Sequence, residues 1–198
     1  MGISLTSPFR LQLSIFEYMS MVVAIVLGIS ITNLLNKLAI TLRVGSWGTL
    51  WFRPLWCVIL LICTIGYLWA FWRIYVDYTE ISIWSFIFGP FFTVVCFFLI
   101  SVLLPIPRES GTDSDAFDVF LEQKKPFYIV LAVLWAHLDM TVVMLDFEQL
   151  PLEKLFGYLM VPISLLGCWL KTLRAHQLLA VFWSLCFLSQ EAVQFAIA

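Results

Sequence analysis

Long apolar runs separated by short polar breaks dominate this chain. A hydrocarbon core takes about 20 mostly apolar residues per helix. Six stretches reach that length, at roughly 15–36, 54–74, 82–104, 126–147, 152–170 and 177–197. They predict an all-α polytopic membrane protein, a bundle of six transmembrane helices in a single membrane domain over 1–198. The second and third stretches carry no charge across their centres, the fifth is short, and the fourth and sixth contain ionisable residues. Proline agrees with these limits. Pro54 and Pro126 are expected at the first helical position, where a missing N–H has no consequence. Pro105 and Pro107 end the third stretch, and Pro151 opens the fifth. Pro90 and Pro162 fall inside stretches and should bend them, because each removes a backbone hydrogen bond.

Composition sharpens the class. Hydrophobic residues make up 62% of the chain and charged residues only 12%, with a mean hydropathy of +0.98. An average soluble domain is about one quarter charged. Soluble, disordered and disulfide-framework classes are therefore excluded, and membrane lipid is the expected surrounding. A net charge of −2 without a basic patch leaves nucleic acid without an electrostatic footprint. Cys57, Cys63, Cys96, Cys168 and Cys186 all lie in apolar runs without a CxxC. They read as buried thiols rather than as a disulfide or zinc framework.

Lys and Arg set the expected orientation. Lys37, Arg43, Arg53, Arg108, Lys124, Lys125, Lys171 and Arg174 fall on one side, and Arg10, Arg73 and Lys154 on the other. The larger set predicts the cytoplasmic face, with both termini outside. Trp47, Trp51, Trp56 and Trp169 then fall near the inner interface and Trp69, Trp72 and Trp84 near the outer one, while Trp135 and Trp183 lie deeper, between helices. Between the third and fourth stretches, Thr112 and Asp115 have capping-box spacing. Phe117, Phe120 and Leu121 share one helical face, opposite Asp118, Glu122 and Lys125. This pattern predicts a short interfacial helix over 113–125 on the cytoplasmic surface.

Candidate chemistry is sparse. Ser20, Ala24, Gly28 and Thr32, continued by Asn36, recur at four-residue spacing in the first stretch. Small residues so spaced let helices approach closely, so Gly28→Leu is expected to disrupt the bundle. Asp139 lies inside the fourth stretch, where a central Asp costs about 3 kcal/mol on translocon scales. The apolar residues around it return roughly 3–6 kcal/mol, and His137 adds a further cost. Insertion therefore calls for polar partners from other helices or for a protonated, neutral Asp139. His137 and Asp139 point about 200° apart on a helix, so they do not form one chelate, and neither a metal nor another cofactor is expected. In the predicted orientation Glu17, Asp139 and Glu191 share the outer half of the membrane. With His137 they form a candidate intramembrane polar pocket, since ionisable groups at depth mark ion or proton routes. No GxSxG, P-loop or HExxH occurs, so no catalytic residue is assigned and nothing marks the chain as an enzyme.

Several short motifs carry a resemblance. They are Glu17 followed by Val-Leu-Gly-Ile at 26–29 and Asn33-Leu-Leu, then Leu-Trp at 55–56, the Trp69 and Trp72 pair, Leu-Leu-Pro ending at 105 and Leu-Asp at 138–139. In these the chain resembles a group of uncharacterised bacterial multi-pass inner-membrane proteins with no established activity. The resemblance implies bacterial origin and a multi-span fold, and no site.

Three functions fit this pattern. The first is a small, non-enzymatic transporter or channel-like subunit with a polar pocket around Asp139. The second is a structural or signalling protein that assembles with a second copy or a membrane-protein partner through span one and the 112–125 segment. The third and weakest is a lipid- or quinone-linked membrane enzyme subunit. The orientation is testable in a cysteine-free background. Arg43→Cys and Arg174→Cys should resist a membrane-impermeant thiol reagent on intact cells, whereas Thr79→Cys should react; the opposite pattern inverts the assignment.

Overall fold

The computed structural model describes the backbone over residues 15–44, 50–76, 81–105, 113–144 and 151–197, and the side chains over 15–43, 50–76, 81–105, 117–144 and 155–192. These residues form α1 (Ile15–Val44), α2 (Phe52–Tyr75), α3 (Ile83–Leu103), α4 (Asp113–Met144), α5 (Pro151–Leu166) and α6 (Leu173–Ile197). Among the described residues there is no strand. Four segments are long and apolar enough to cross a membrane: Ile15–Arg43, Phe52–Tyr75, Ile83–Leu103 and Phe117–Met144. The apolar part of α5 is shorter, Leu155–Leu166. At 1.5 Å per residue the whole of α5 measures about 24 Å, less than a hydrocarbon core of about 30 Å.

The helices close into a ring. α1 packs between α2 and α3, α4 packs between α3 and α5, and α6 joins α5 to α2. Cross-helix contacts give their directions. Phe16 near the start of α1 stacks on Phe71 near the end of α2 at 5.9 Å, so these two helices are antiparallel. Asn33 of α1 donates to Ser101 Oγ of α3 at 3.3 Å, so these two run together. Tyr128 and Trp135 of α4 meet His176 and Trp183 of α6 in the same order, so that pair is also parallel.

The ring is filled by aromatic side chains. Trp56, fully buried, touches Phe127 and Tyr128 of α4 and Trp183 of α6 at centroid distances of 5.5, 6.1 and 5.1 Å. Trp183 Nε1 donates to Ser164 Oγ of α5 at 3.1 Å, which fixes the ring. The outside is equally apolar: Ile25, Ile83, Phe88, Val143 and Leu178 are all exposed. Helices apolar all round suit a lipid surrounding rather than water.

Local signals explain the helix ends. Ser82 caps α3 by accepting from the Ser85 N–H at 3.0 Å. Leu104 leaves helical geometry with ψ 117°, because Pro105 pushes the residue before it toward extended conformations. Within α3, Gly89 (φ −96°, ψ −106°) and Pro90 interrupt the helix in a π turn over Ile87–Phe91, which is the bend expected of Pro90.

Several expectations are corrected. Residues 113–125 are not a separate surface helix, because α4 runs unbroken through Pro126 to Met144. Proline there deprives only the Glu122 carbonyl of its amide donor, and Glu122 is exposed. Thr112 and the Asp115 side chain lie outside the described residues, as do the side chains of Arg10, Trp47, Arg108 and Lys154. Trp56 belongs to the core rather than to an interfacial belt, whereas Trp69, Trp72, Trp84 and Trp169 are exposed as expected. Cys57, Cys63, Cys96 and Cys186 are buried thiols, but Cys168 is only half-buried. The small-residue ridge does not pack within the chain. Ala24, Gly28, Thr32 and Asn36 are exposed, Ser20 is half-buried, and a Cβ added at Gly28 would meet nothing within 4 Å. The helix buries Phe16, Met19, Val23 and Leu27 instead, while Tyr18, Met21, Ile25 and Ile29 face outward.

The glycine that the fold does require is Gly167, where a Cβ would fall 2.5–2.7 Å from three ring carbons of Tyr128. That ring is fully buried and hydrogen-bonded to His176, so it cannot swing aside. Gly167→Ala should lower stability by about 1–3 kcal/mol. Gly28→Ala should change it by less than about 0.5 kcal/mol. Thermal unfolding in detergent measures both, and equal effects would contradict this packing.

Candidate functional site in the polar half of the bundle

The aromatic fill divides the bundle into two polar ends. At one end lie Lys37, Arg53, Lys124 and His176, all buried. At the other lie Glu17, His137, Asp139 and Glu191. Helix directions produce this segregation, because α1, α3 and α5 run opposite to α2, α4 and α6.

The basic end is tied by hydrogen bonds. Lys37 Nζ donates to the carbonyls of Val102 and Leu104 at 2.6 Å each, and so closes the C-terminus of α3. Lys124 Nζ likewise donates to the carbonyl of Leu170, just beyond α5. It also lies 3.2 Å from His176 Nε2, while His176 Nδ1 lies 3.1 Å from Tyr128 Oη. His176 Nε2 also lies 3.1 Å from the Leu170 carbonyl; a carbonyl only accepts, so Nε2 carries the proton and Nδ1 accepts from the Tyr128 hydroxyl. The imidazole is sandwiched between Phe52 and Tyr128, at 6.3 and 5.8 Å. The sequence by itself assigns His176 no role. Its partners come from α2, α4 and the end of α5, and no local motif announces them.

The acidic end has a different character. His137 Nε2 lies 3.2 Å from the carbonyl of Gly89. A carbonyl only accepts, so Nε2 carries the proton. Tyr67 of α2 donates to the neighbouring Pro90 carbonyl at 3.4 Å, and Thr93 also donates to Gly89 at 3.2 Å. The broken turn of α3 is thus held by side chains from α2, α3 and α4. Turns of this type occur often at functional sites.

Asp139 faces elsewhere. A Cβ at Gly157 of α5 would lie 2.5 Å from its Oδ1, so that glycine makes room for the carboxylate. Glu191 of α6 similarly faces Gly66 of α2, whose added Cβ would lie 3.9 Å from Oε2. Each of these three ionisable groups therefore rests against a glycine of a neighbouring helix: His137 on Gly89, Asp139 on Gly157 and Glu191 on Gly66. This placement keeps His137 and Asp139 on different seams, as helical periodicity requires.

Asp139, Gln190 and Glu191 share a level. Trp135 contacts Phe187 at 6.1 Å, and α4 and α6 are parallel. Asp139 is one turn beyond Trp135, and Gln190 and Glu191 are one turn beyond Phe187. Among the described residues no hydrogen bond or ion pair reaches either carboxylate, and Gln190 Oε1 and Trp135 Nε1 are buried without a partner. Buried polar atoms normally find a protein, water or ligand partner. Glu17 does not join this level. Its neighbour Phe16 packs on Phe71 and Trp72, roughly 8 Å farther out than Gly66 by helical rise, and Glu17 is exposed. Gln190, beside Glu191 in the sequence, is an amide and carries no charge to mark it as a site.

The Asp139–Gly157 contact is open to a double-mutant cycle. Gly157→Ala should destabilise the protein by at most about 1 kcal/mol, because the half-buried carboxylate, held by no hydrogen bond among the described residues, can turn aside, and that loss should vanish when Asp139→Ala is added. Additive losses in thermal unfolding would show that the two do not touch. Comparison with family models, with curated proteins and with solved structures gives no match.

Proposed function

We propose that this chain is a non-enzymatic integral membrane protein acting as a small transporter or channel-like subunit, with a cation- or proton-binding site around Asp139. In this reading all six helices cross the bilayer, α5 and α6 completing the ring begun by the four longer apolar segments. The basic end faces the cytoplasm of a bacterial cell and both termini face outward, in keeping with the Lys and Arg distribution and the family resemblance. Membrane lipid is the surrounding medium, and no cofactor takes part.

The observation that carries the reading is the set of acceptors at one level. Two carboxylates on separate seams and the buried Gln190 oxygen lie at this level of α4 and α6, and among the described residues no donor reaches any of them. Acceptors without donors suit a cation or an exchangeable proton. The aromatic fill below them would act as the barrier, and the side-chain-held break in α3 would be the element able to change shape. Glu17, nearer the end of the bundle, would draw cations toward the site rather than bind them there.

A second reading has its own support. The ridge of Ser20, Ala24, Gly28 and Thr32 lies along the outward side of α1, and its Ser20 and Thr32 hydroxyls donate to their own helix at 2.9 and 2.8 Å. Such a face suits close approach of a second copy or of another protein's helix, and with it assembly through α1 and the 112–125 segment.

Flux in proteoliposomes tests the first reading. Wild-type protein should carry protons or a monovalent cation down an imposed gradient, and Asp139→Asn or Glu191→Gln should lower that flux by about tenfold or more, the scale of one lost charge-assisted contact. Unchanged flux in correctly folded Asp139→Asn protein would refute it. No wild-type flux, together with a defined oligomer broken by Gly28→Leu, would establish the second reading instead.

A further inference from the structure

We infer that the basic end of the bundle carries a phospholipid headgroup site, selective for a zwitterionic headgroup with a primary ammonium. The site lies between α1, α3 and α4, at the opposite end from the acceptors around Asp139. It rests on the helices being surrounded by lipid and not on any transport activity.

The first observation is Lys37. Its side chain is only 8% exposed. Its two partners, the carbonyls of Val102 and Leu104, are neutral. Among the described residues no carboxylate pairs with it. A buried charge is ordinarily held by an opposite charge as well as by hydrogen bonds. An ammonium has three N–H donors; two are directed at these carbonyls, and one is left for an anionic oxygen.

The second observation is a cavity of about 510 Å³ bordered by Lys37, Leu103, Glu122, Gln123 and Pro126. That volume falls among ordinary small-molecule sites. It opens outward, since Val102, Glu122 and Gln123 are exposed. A cation and a carboxylate thus border one space without forming an ion pair with each other. Pro126 adds an acceptor, because it has no N–H to give the Glu122 carbonyl. One border therefore offers a positive donor and the other offers a carboxylate and a carbonyl.

A zwitterion meets both requirements. Its phosphate takes the remaining Lys37 donor. Its ammonium gives N–H bonds to Glu122, and the glycerol and first acyl carbons lie along Leu103 and Pro126. A trimethylammonium headgroup has no N–H to donate. A glycerol headgroup leaves the phosphate charge facing Glu122 without a cation between them.

The test uses full-length protein equilibrated with vesicles of equal parts phosphatidylethanolamine, phosphatidylcholine and phosphatidylglycerol, then read by native mass spectrometry for retained lipid. Phosphatidylethanolamine should be retained about tenfold over each of the others. Glu122→Gln, an exposed position that should leave folding intact, should abolish the preference over phosphatidylglycerol. Lys37→Met should lose retention of all three; should it fail to fold, Glu122→Gln still decides. Equal retention of the three lipids, or an ethanolamine preference that survives Glu122→Gln, would overturn the site. Displacement of bound lipid by an equal concentration of water-soluble phosphoethanolamine would assign it to a free metabolite and overturn the lipid assignment. Loss of flux in Asp139→Asn with retention unchanged would separate the two ends of the molecule.

Discussion

A bundle as apolar outside as inside must satisfy its polar atoms from its own chain, since lipid offers neither donors nor acceptors. Most of this structure follows that constraint. Ser30, Thr32, Thr41, Thr64, Thr141, Ser164 and Ser184 each donate to the carbonyl four residues back in their own helix. Lys37 and Lys124 reach carbonyls at the ends of neighbouring helices, where backbone acceptors have no donor of their own. Trp183 reaches Ser164. Even the break in α3 is closed by His137, Tyr67 and Thr93. Against this economy, the carboxylates of Asp139 and Glu191, which meet no partner among the described residues, stand out together with the buried Gln190 oxygen and the indole nitrogens of Trp56 and Trp135. They are the groups that packing alone does not explain.

Glycine is what admits such groups. Where a polar side chain must lie between tightly packed helices, the facing residue has to give up its side chain. Gly157 does so for Asp139 and Gly167 for the ring of Tyr128, whereas a Cβ at Gly66 would sit in ordinary contact 3.9 Å from Glu191 and one at Gly89 would meet Tyr75 rather than His137. Gly28 has no such neighbour and faces outward. The two kinds of glycine look alike in the sequence, and only the opposing helix distinguishes them. The same distinction explains the Gly28 ridge: small-residue spacing says that close approach is possible on that face, and the chain turns the face of Phe16, Met19, Val23 and Leu27 inward instead.

The two ends of the molecule differ in how they hold charge. At the basic end Lys124 and His176 are bound into a network with Tyr128, Phe52 and the Leu170 carbonyl, a rigid junction joining α2, α4, α5 and α6. At the acidic end the groups are spread over separate seams beside glycines, next to a helix that is already broken. Such an end can change its hydrogen bonding at small packing cost, whereas the junction cannot. This contrast is the physical ground for the proposed site around Asp139 at one end and the proposed lipid site at the other.

Local chemistry in the chain was enough to establish the all-helical, apolar character, most helix limits, the bend at Pro90, the inward Trp135 and Trp183, and the opposite facing of His137 and Asp139. Each of these depends on residues within a turn or two of one another, through periodicity, proline geometry or side-chain volume. Burial of Trp56, the continuity of α4 through Pro126, the outward turn of the Gly28 face, the partners of His176 and Lys37 and the helix that Glu191 faces were decided only by the tertiary structure. Each depends on which helix lies opposite and at what height. One helix carries no record of that choice, because hydrophobic attraction is non-directional and only the packed ring of six helices selects among the faces it could bury.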